Sequence, residues 1–237
     1  SYYGYKMAGF FQSYDEIEAS AIPVGAKVQP GDIKFVDRND DGIIDSKDKF
    51  ILGNAFPRYT FGFTYGLNWK GIDFSMFWQG VGKRDMMLRG ELIEPYHANY
   101  SYTIYKHQLD FWTPTNTEAR WPRLAAPGSD SNRNNYGNGN GSDLFLLDGK
   151  YLRLKNLTIG YTLPKEWTKH LGMQKARLYI NGQNLLTFSN NSFIDPESSE
   201  FDSKMSTSGA NSGRSYPTLR YLSLIHISEP TRQEAIS

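Results

Sequence analysis

The chain has 237 residues, and its 26 lysine and arginine residues nearly balance 25 aspartate and glutamate residues, for a formal net charge of +1. This balance argues against a nucleic-acid-binding protein, because such proteins usually carry a basic surface. Cysteine is absent, which excludes disulfide scaffolds, cysteine-zinc sites and thiol catalysis. Aromatic residues make up 15% of the chain although the mean hydropathy is -0.57. No apolar run approaches the ~18 residues of a membrane helix, so a helical membrane protein is excluded and a membrane β-barrel is not.

The first strong local pattern is an acidic segment, Asp37–Asp48, with the spacing of a calcium-binding loop. It follows the motif D-x-[DN]-x-[DN]-G, except that Asp48 stands where the motif usually has glutamate. Carboxylates this close repel one another unless a cation neutralises them, and calcium prefers such oxygen ligands. The predicted ligands of a structural Ca²⁺ are Asp37, Asn39, Asp41, Ile43 (through its carbonyl), Asp45 and Asp48. The alternative is a solvated acidic turn without an ion.

Two segments of alternating polarity follow, Arg58–Trp69 and Ile72–Gln79. Such alternation predicts strands with one apolar and one polar face. The Lys70-Gly71 pair between them predicts a tight turn and therefore a hairpin. The first segment has twelve residues, which is long compared with the usual strand of about 5–6 residues in globular proteins.

Helical signals occur at two places. Apolar residues recur at helical spacing across Ser101–Trp112, and Pro114 follows that segment. Pro164–Leu171 is predicted as a second short helix, ended by Gly172. The rest of the chain is predicted to consist of strands and loops.

Four further segments are strand candidates, of which the first and last are the weaker: Gly4–Gln12, Leu144–Leu163, Ala176–Phe188 and Tyr216–Leu224. The apolar positions of Leu144–Leu163 change phase partway along the segment. A β-bulge near Asn156 is predicted, because one extra residue restores the alternation.

Long polar connections separate these strands, at Gly128–Ser142 and Asn190–Arg214. Twelve of the fifteen residues of Gly128–Ser142 are glycine, serine or asparagine. Connections longer than ~12–15 residues are usually functional or disordered. Long strands with a short turn at one end and long loops at the other are typical of outer membrane barrels. A soluble β-domain that packs its aromatic faces into a core is the alternative.

Catalytic patterns are not evident. The histidines, at positions 97, 107, 170 and 226, have no metal-ligand spacing. Asp195-Pro196-Glu197 has the two carboxylates of a glycoside hydrolase, but acidic residues beside proline in a polar loop are typical of turns. Neither a G-x-S-x-G motif nor a P-loop nor a dinucleotide fingerprint occurs. A non-enzymatic protein is predicted.

An ordered series of short segments carries a family resemblance across nearly the whole chain. In chain order they are Gly9–Ser13, Pro30–Asp32, Gly53–Tyr59, Phe77–Gly80, Phe111–Pro114, Trp121–Arg123, Asp148–Leu157, Gly160–Pro164, Asn181–Leu185, Asp195–Glu197 and Tyr216–Pro217. Together they resemble the C-terminal part of a SusC/RagA-type TonB-dependent outer membrane transporter. Each segment alone is a weak signal, whereas their order makes the resemblance specific.

The resemblance implies an all-β fold, a partial antiparallel transmembrane β-barrel with about six or seven strands of a larger barrel, long extracellular loops and one or two short helices. It implies a Gram-negative outer membrane protein that imports oligosaccharides or peptides beneath a SusD-like surface lipoprotein. TonB would act through an N-terminal part that this chain lacks, so the chain is expected to be a fragment. The alternative is a secreted, calcium-stabilised, β-rich carbohydrate-binding module.

The resemblance also assigns the faces of the hairpin. The residues expected to meet outer membrane lipid are Phe61, Phe63, Leu67, Phe74 and Met76, with Tyr59, Trp69 and Trp78 near the interfacial aromatic girdles. The residues expected to face the lumen are Thr60, Thr64, Asn68, Asp73, Ser75 and Gln79. The long polar loops would lie outside the cell, near substrate or the lipoprotein.

The end of the chain departs from the family. Residues 1–223 are assigned to the barrel, whereas Leu224–Ser237 resembles translated sequencing-adapter read-through and is interpreted as a non-native tail. A barrel strand usually alternates up to a terminal aromatic residue, and Pro230 is expected to interrupt a strand.

Overall fold

The computed structural model describes residues 1–97, 103–137, 141–170, 172–198, 210–211 and 217–230. Its strands are β1 (Tyr2–Gly4), β2 (Met7–Phe10), β3 (Ile22–Pro23), β4 (Ile33–Phe35), β5 (Ile43–Ile44), β6 (Phe50–Gly53), β7 (Thr60–Trp69), β8 (Ile72–Val81), β9 (Asp85–Leu88), β10 (Leu146–Asp148), β11 (Tyr151–Thr162), β12 (Met173–Ser189), β13 (Ala210–Asn211) and β14 (Tyr221–Pro230). The α-helices are α1 (Tyr14–Glu18), α2 (Asp130–Tyr136) and α3 (Lys165–His170). Short 3₁₀ helices span Ser46–Asp48, Gly90–Leu92, Lys106–Gln108 and Asp143–Phe145.

The chain divides into two compact units. The loop-rich unit consists of Ser1–Phe56, Arg84–Asp148 and Glu197–Tyr216, and the sheet unit of Pro57–Lys83, Gly149–Pro196 and Pro217–Ser237. In the parts of the chain that the structure describes, no helix has both the length and the apolar character needed to cross a membrane.

The sheet unit is built on one antiparallel sheet with the strand order β14-β12-β11-β8-β7. The predicted hairpin of β7 and β8 is confirmed. Lys70 and Gly71, which join the two strands, have φ angles of 46° and 85°. Two consecutive positive φ angles are characteristic of a type I′ turn, whose twist matches that of the flanking strands. Across the described residues the sheet has five strands and is open, so the predicted count of six or seven strands is not confirmed.

Strand register gives this sheet one apolar and one mainly polar face, because directly paired residues point to the same side. The apolar face contains Phe61, Phe63, Tyr65, Leu67, Trp69, Ile72, Phe74, Met76, Trp78, Leu152, Leu154, Leu157, Ile159, Tyr161, Leu178, Ile180, Leu186, Phe188, Leu222 and Leu224. The polar face includes Thr60, Thr64, Asn68, Asp73, Ser75, Gln79, Arg153, Asn156, Thr158, Arg177, Asn181, Gln183 and Thr187.

A β-bulge in β11 keeps these faces continuous. The register slips between Leu154 and Asn156 against both neighbouring strands, as the phase change predicted. On β12, Asn184 opposite this region has a φ of 54°. Without the slip, Leu157 and Ile159 would turn to the polar face.

Two sequence predictions need correction, and a third is confirmed. Ser101–Trp112 was predicted as a helix, but within its described part only Lys106–Gln108 forms a single 3₁₀ turn. The backbone of Trp112 instead donates to the carbonyl of Trp121 at 2.9 Å, so pairing with a distant segment prevails over helical spacing. The predicted strand Leu144–Leu163 is interrupted, since β10 pairs with β9 and β11 joins the large sheet. The predicted helix at Pro164–Leu171 is confirmed as α3.

The loop-rich unit has short strands around an apolar core. Its sheets are β1-β6, β2-β4, the parallel pair β3-β5, and β10-β9-β13. Core side chains that are almost fully buried include Phe11, Ile33, Phe35, Ile44, Met86, Leu88, Trp121 and Phe145. The Trp121 and Phe145 rings stack with a centroid distance of 6.1 Å. Local segments thus collapse on shared aromatic residues and do not extend into long strands.

Strand β14 contains part of the segment that the sequence assigned to a non-native tail. Leu224–Ser228 pair with β12 in continuous register, and the strand ends at Pro230. The amphipathic pattern nevertheless weakens here, since His226 pairs with Leu178 on the apolar face. The non-native origin of these residues stays a prediction.

Candidate functional site

The apolar face of the sheet unit is the first functional surface. Many of its side chains are far from buried: Phe63 is 48% exposed, Trp69 60% and Phe188 60%. Soluble proteins rarely expose contiguous apolar patches on this scale. An uncovered apolar face on a five-stranded sheet therefore indicates contact with an apolar environment or partner.

Aromatic contacts organise this face across the strands. The Trp78 ring stacks with Phe63 of β7 and with Phe188 of β12, each at a centroid distance of 6.2 Å. Tyr65 and Phe74 meet edge to face at 6.1 Å. The rings therefore pack side by side within the face and leave their outer surfaces exposed.

The structure separates the two predicted sets of hairpin residues. The residues expected to face lipid all lie on the apolar face, and the residues expected to face the lumen all lie on the polar face. Trp69 borders the type I′ turn, and Tyr59 precedes β7. The alternation in sequence was therefore sufficient to assign the faces.

The polar face carries an ion pair that crosses a strand. The guanidinium of Arg177 on β12 contacts Asp73 on β8, with Nη2–Oδ2 at 2.5 Å and Nε–Oδ1 at 3.0 Å. Gly160 on β11 lies between them, and a Cβ there would collide with the Asp73 carboxylate. Glycine at this position thus lets the ion pair join β8 and β12 across β11.

A second ion pair on this face is almost fully buried. Arg153 Nη2 lies 2.6 Å from Asp195 Oδ1, and the two side chains are 5% and 9% exposed. Arg153 Nε donates to Thr187 Oγ1 at 2.9 Å, and Asp195 Oδ2 accepts from the Thr218 backbone at 2.8 Å. Asp195, which the sequence placed in a turn, therefore holds separate segments together. The 42-residue separation of the pair left no local signal for sequence reasoning.

The acidic loop forms a compact turn whose carboxylates accept backbone N–H groups. Asp37 Oδ2 accepts from Gly42 N at 2.8 Å, and Asp41 Oδ1 accepts from Ile43 N at 3.0 Å. Asn39 donates to Asp41 Oδ2 at 2.8 Å. Asp37 Oδ1 is buried and has no hydrogen-bond partner in the structure. An unpaired buried carboxylate oxygen fits a cation ligand.

The remaining predicted ligands have mixed roles. Asp45 Oδ1 accepts from Lys47 N at 2.7 Å, and its other oxygen lies 3.6 Å from Lys47 Nζ. Asp48 is fully buried, and its oxygens accept from Arg38 N at 2.9 Å and Asp45 N at 2.8 Å. Burial raises the pKa of Asp48, but the backbone hydrogen bonds outweigh it and hold that pKa below its usual value. Within the described ranges, no group of three or more acidic or histidine side chains is arranged to hold a metal.

The loop-rich unit contains a buried polar cluster that was not predicted from the sequence. Asp32 is fully buried and accepts from Ser131 Oγ at 2.8 Å, Asn135 Nδ2 at 3.0 Å and Gln29 N at 2.8 Å. Asn135 Oδ1 accepts from Ile33 N at 2.9 Å. Burial raises the pKa of Asp32 above its usual value, although these hydrogen bonds and Arg123 act against the shift.

This cluster changes the interpretation of Gly128–Ser142. The sequence predicted a polar extracellular loop there, but part of the segment forms α2, whose Ser131, Asn132, Asn134 and Asn135 are buried. These side chains are therefore largely enclosed within the unit. The asparagines of this segment resemble ordinary loop composition, so nothing in the sequence indicated that they are buried against Asp32.

Comparisons with known proteins agree with the fold. No family model matches the chain. It is 34% identical over 224 residues to TonB-dependent receptor P3 of Formosa agariphila, which covers 93% of this chain and 21% of the receptor. It is 28% identical over 170 residues to TonB-dependent receptor SusC of Bacteroides thetaiotaomicron, covering 71% of this chain and 16% of SusC. Among solved structures, the RagAB peptide importer in its open-open state superposes with a TM-score of 0.64 at 20% identity, over 96% of this chain and 22% of that chain.

The sheet and these similarities define the chain as part of a TonB-dependent receptor. More narrowly, the chain belongs to the SusC/RagA-type receptors, which confirms the resemblance seen in the sequence. It spans about a fifth of the length of the relatives that it matches.

Proposed function

We propose that the sheet unit is a section of the wall of an outer membrane β-barrel that imports nutrients into a Gram-negative bacterium. The observation that carries this proposal is the exposed apolar face of β7, β8, β11 and β12 opposite a polar face with two ion pairs. Barrel strands alternate between lipid-facing apolar and lumen-facing polar residues in this manner. The 237 residues would be a segment of a longer receptor.

The cargo that we propose is an oligosaccharide or a peptide. The similarity to SusC and to a structure named as a peptide importer supports this class without choosing between its members. We also propose a SusD-like surface lipoprotein as partner and energy supply by TonB through the part of the receptor outside this chain. The protein would not act as an enzyme, and Asp195 in a buried ion pair with Arg153 fits a structural role.

The alternative of a secreted carbohydrate-binding module is less well supported. Such a module would present its apolar sheet face to water, at the roughly half-exposed positions of Phe61, Phe63 and Leu67. Burial of apolar surface is the main favourable term in folding in water. A membrane supplies the apolar surroundings that this face lacks.

A structural Ca²⁺ in the 37–48 loop is a separate proposal. It is supported by the ligand spacing and by the buried, unpaired Asp37 Oδ1. The ion would stiffen the loop and leave transport chemistry unchanged. Calcium titration by calorimetry of the folded receptor should give a saturable heat that Asp37→Asn abolishes; no heat at millimolar calcium would remove this proposal.

The main proposal is tested with the complete receptor that contains residues 1–223. Folded in detergent or lipid vesicles, it should migrate faster on a gel before boiling than after, as closed barrels do. Cooperative folding in plain buffer without detergent would contradict the proposal.

Sequencing of the coding region tests the proposed boundary, because native coding sequence continuing through Leu224–Ser237 would show that this segment is not a tail.

A further inference from the structure

The strands of the sheet unit are joined by short connections at one end of the sheet. There the Lys70-Gly71 turn joins β7 to β8, and a connection that contains α3 joins β11 to β12. The Gly71 carbonyl accepts from Thr162 N at 2.8 Å, which holds the turn against the end of β11. In outer membrane barrels the short turns lie on the periplasmic side. In the proposed function, this end of the sheet therefore meets the periplasmic leaflet of the membrane.

The apolar face finishes in amphipathic aromatic residues at this end. Trp69, Ile72 and Tyr161 lie side by side in the strand register, and all three are exposed. In α3, Trp167 is 60% exposed, whereas Thr168 is buried. Tryptophan and tyrosine favour the boundary between hydrocarbon and headgroups, because each combines an apolar ring with a polar N–H or O–H group. These residues therefore indicate the level of the lipid headgroups.

Exposed lysines accompany these rings. Lys70 Nζ lies 5.0 Å from the centroid of the Trp69 ring, which places the ammonium group at the border of the apolar face. Lys165 and Lys169 are exposed and lie one turn apart on α3. Within the described residues, none of the three lysines takes part in an ion pair. The turn and α3 contain three lysines and one acidic residue, Glu166, so their net positive charge is complementary to an anionic partner.

Lys70 also occupies a backbone position that does not favour lysine. Its φ of 46° belongs to the first central residue of the type I′ turn, where asparagine, aspartate and glycine are preferred. Asparagine would therefore form this turn more readily than lysine does. What lysine adds at this position is an exposed ammonium group beside the Trp69 ring.

We propose that Lys70, Lys165 and Lys169 bind the phosphate groups of anionic phospholipids in the periplasmic leaflet, with Trp69 and Trp167 at the level of the headgroups. The inference rests on the proposed function, in which the apolar face contacts lipid. An ammonium group donates hydrogen bonds to phosphate oxygens and attracts a headgroup with net negative charge. Phosphatidylglycerol is therefore favoured over phosphatidylethanolamine, whose own ammonium group neutralises its phosphate.

The test uses fluorine NMR of the complete receptor, folded in detergent and labelled with 5-fluorotryptophan. The signals of Trp69 and Trp167 are identified with Trp69→Phe and Trp167→Phe variants. Each signal is followed in separate titrations with phosphatidylglycerol, phosphatidylethanolamine and inorganic phosphate. The two signals report binding at the turn and at α3 individually, so lipid bound elsewhere on the receptor does not obscure the result.

The variants remove charge without removing a packed side chain. Lys70→Asn supplies a residue that the type I′ turn prefers, so the hairpin should still fold, and Lys70→Arg keeps the charge. A variant with Lys165→Gln and Lys169→Gln changes two exposed positions of α3. The control for that variant combines Lys27→Gln and Lys106→Gln, which remove the same charge from exposed positions of the loop-rich unit.

We expect both tryptophan signals to shift saturably with phosphatidylglycerol, at a concentration at least fivefold lower than with phosphatidylethanolamine. Lys70→Asn should weaken phosphatidylglycerol binding at Trp69 about fivefold, which is the contribution of one lysine near an anionic surface. The double variant of α3 should weaken binding at Trp167 by at least that factor. Lys70→Arg should retain binding, and the control should change it less than twofold.

Three results would overturn the inference: equal binding of the two phospholipids, unchanged affinity in both lysine variants, or the same loss in the control. Saturation by inorganic phosphate at the concentration that suffices for phosphatidylglycerol would also overturn it, because free phosphate would then be the ligand. Failure of the wild-type receptor to show heat-dependent migration would instead overturn the proposed function.

Discussion

The two units of this chain place polar and apolar residues in opposite ways. In the loop-rich unit aromatic residues such as Phe11 and Trp121 are buried, and even the polar Asp32 is enclosed. In the sheet unit, Phe63 and Phe188 remain about half exposed, and the ion pairs lie on the opposite face. The loop-rich unit buries its aromatic residues in a core, whereas the sheet unit presents an apolar face on one side and a mainly polar face on the other.

The largest effect should come from a charge on the apolar face. Phe63→Arg should destabilise the barrel by about 2–4 kcal/mol near the membrane midplane, because arginine is poorly solvated in hydrocarbon. Thr64→Arg, one residue away on the polar face, is the matched control and should cost far less. Urea titration of the receptor in lipid vesicles measures both variants. Equal destabilisation would contradict the assignment of faces.

A large effect is also expected inside the loop-rich unit. Asn135→Ala leaves the Ile33 N–H and one oxygen of Asp32 without their partner, which should cost about 1–3 kcal/mol. Hydrogen exchange of the peptide around Ile33 should accelerate by roughly tenfold to a hundredfold. Asn116→Ala, at an exposed position, is the control. Unchanged exchange in Asn135→Ala would show that the cluster does not stabilise this unit.

Much of the sheet unit could be predicted from the sequence, and little of the loop-rich unit. The β7–β8 hairpin follows from alternation and a two-residue turn, and the bulge near Asn156 from a phase change. These signals are local. Asp32 and Asn135 are 103 residues apart, and Trp112 pairs with Trp121 in place of the predicted helix. Such contacts depend on tertiary packing, which the spacing of residues within one segment does not encode.

The polar face of the sheet unit illustrates the same limit at the candidate site. Asp195 was noticed in the sequence as part of a carboxylate pair, but its partner Arg153 lies on another strand. Asn184 belongs to a family segment, yet its side-chain Nδ2 donates to the carbonyl of Leu219, 35 residues away. The acidic loop is the opposite case, because all the predicted calcium ligands lie within one short segment.

A moderate loss of stability is expected when the close packing within the apolar face is disturbed. A Cβ on Gly80 would lie 2.5 Å from the Phe61 ring and 3.0 Å from the Tyr151 carbonyl. Gly80→Ala should therefore cost about 1 kcal/mol or somewhat more through overpacking. Gly66→Ala, whose Cβ would meet nothing closer than 3.8 Å, should be nearly neutral. Urea midpoints of the two variants in vesicles provide the comparison, and equal midpoints would contradict close ring-to-glycine packing.

The smallest expected effect is on the pH dependence of folding stability, to which two buried carboxylates contribute with opposite signs. Burial raises the pKa of Asp32, so the folded unit holds that proton more readily than the unfolded chain. Its contribution to stability is therefore complete at low pH and is lost as pH rises through the folded-state pKa. Asp32→Asn should flatten this decline, which can be followed by urea titrations with fluorine NMR of labelled Trp121.

Asp48 should show the opposite sign. Its pKa is lowered by backbone hydrogen bonds that outweigh burial, so its contribution is present above the unfolded-state pKa and is lost as pH falls through the folded-state pKa. Asp48→Asn should weaken the loss of stability in acid. The same slope for both variants would contradict the pKa shifts.

The most direct test of the membrane-facing sheet uses the absence of cysteine from these 237 residues, in a receptor whose cysteines elsewhere, where present, are replaced by serine. Single cysteines at each position from Phe61 to Asn68, spin-labelled in the receptor in vesicles, report access to oxygen in the lipid and to a nickel complex in water. We expect a two-residue period, with oxygen access highest at odd-numbered positions and nickel access highest at even-numbered ones. High nickel access at Phe63 and Leu67, equal to that at Thr64 and Asn68, would contradict a lipid-facing apolar side.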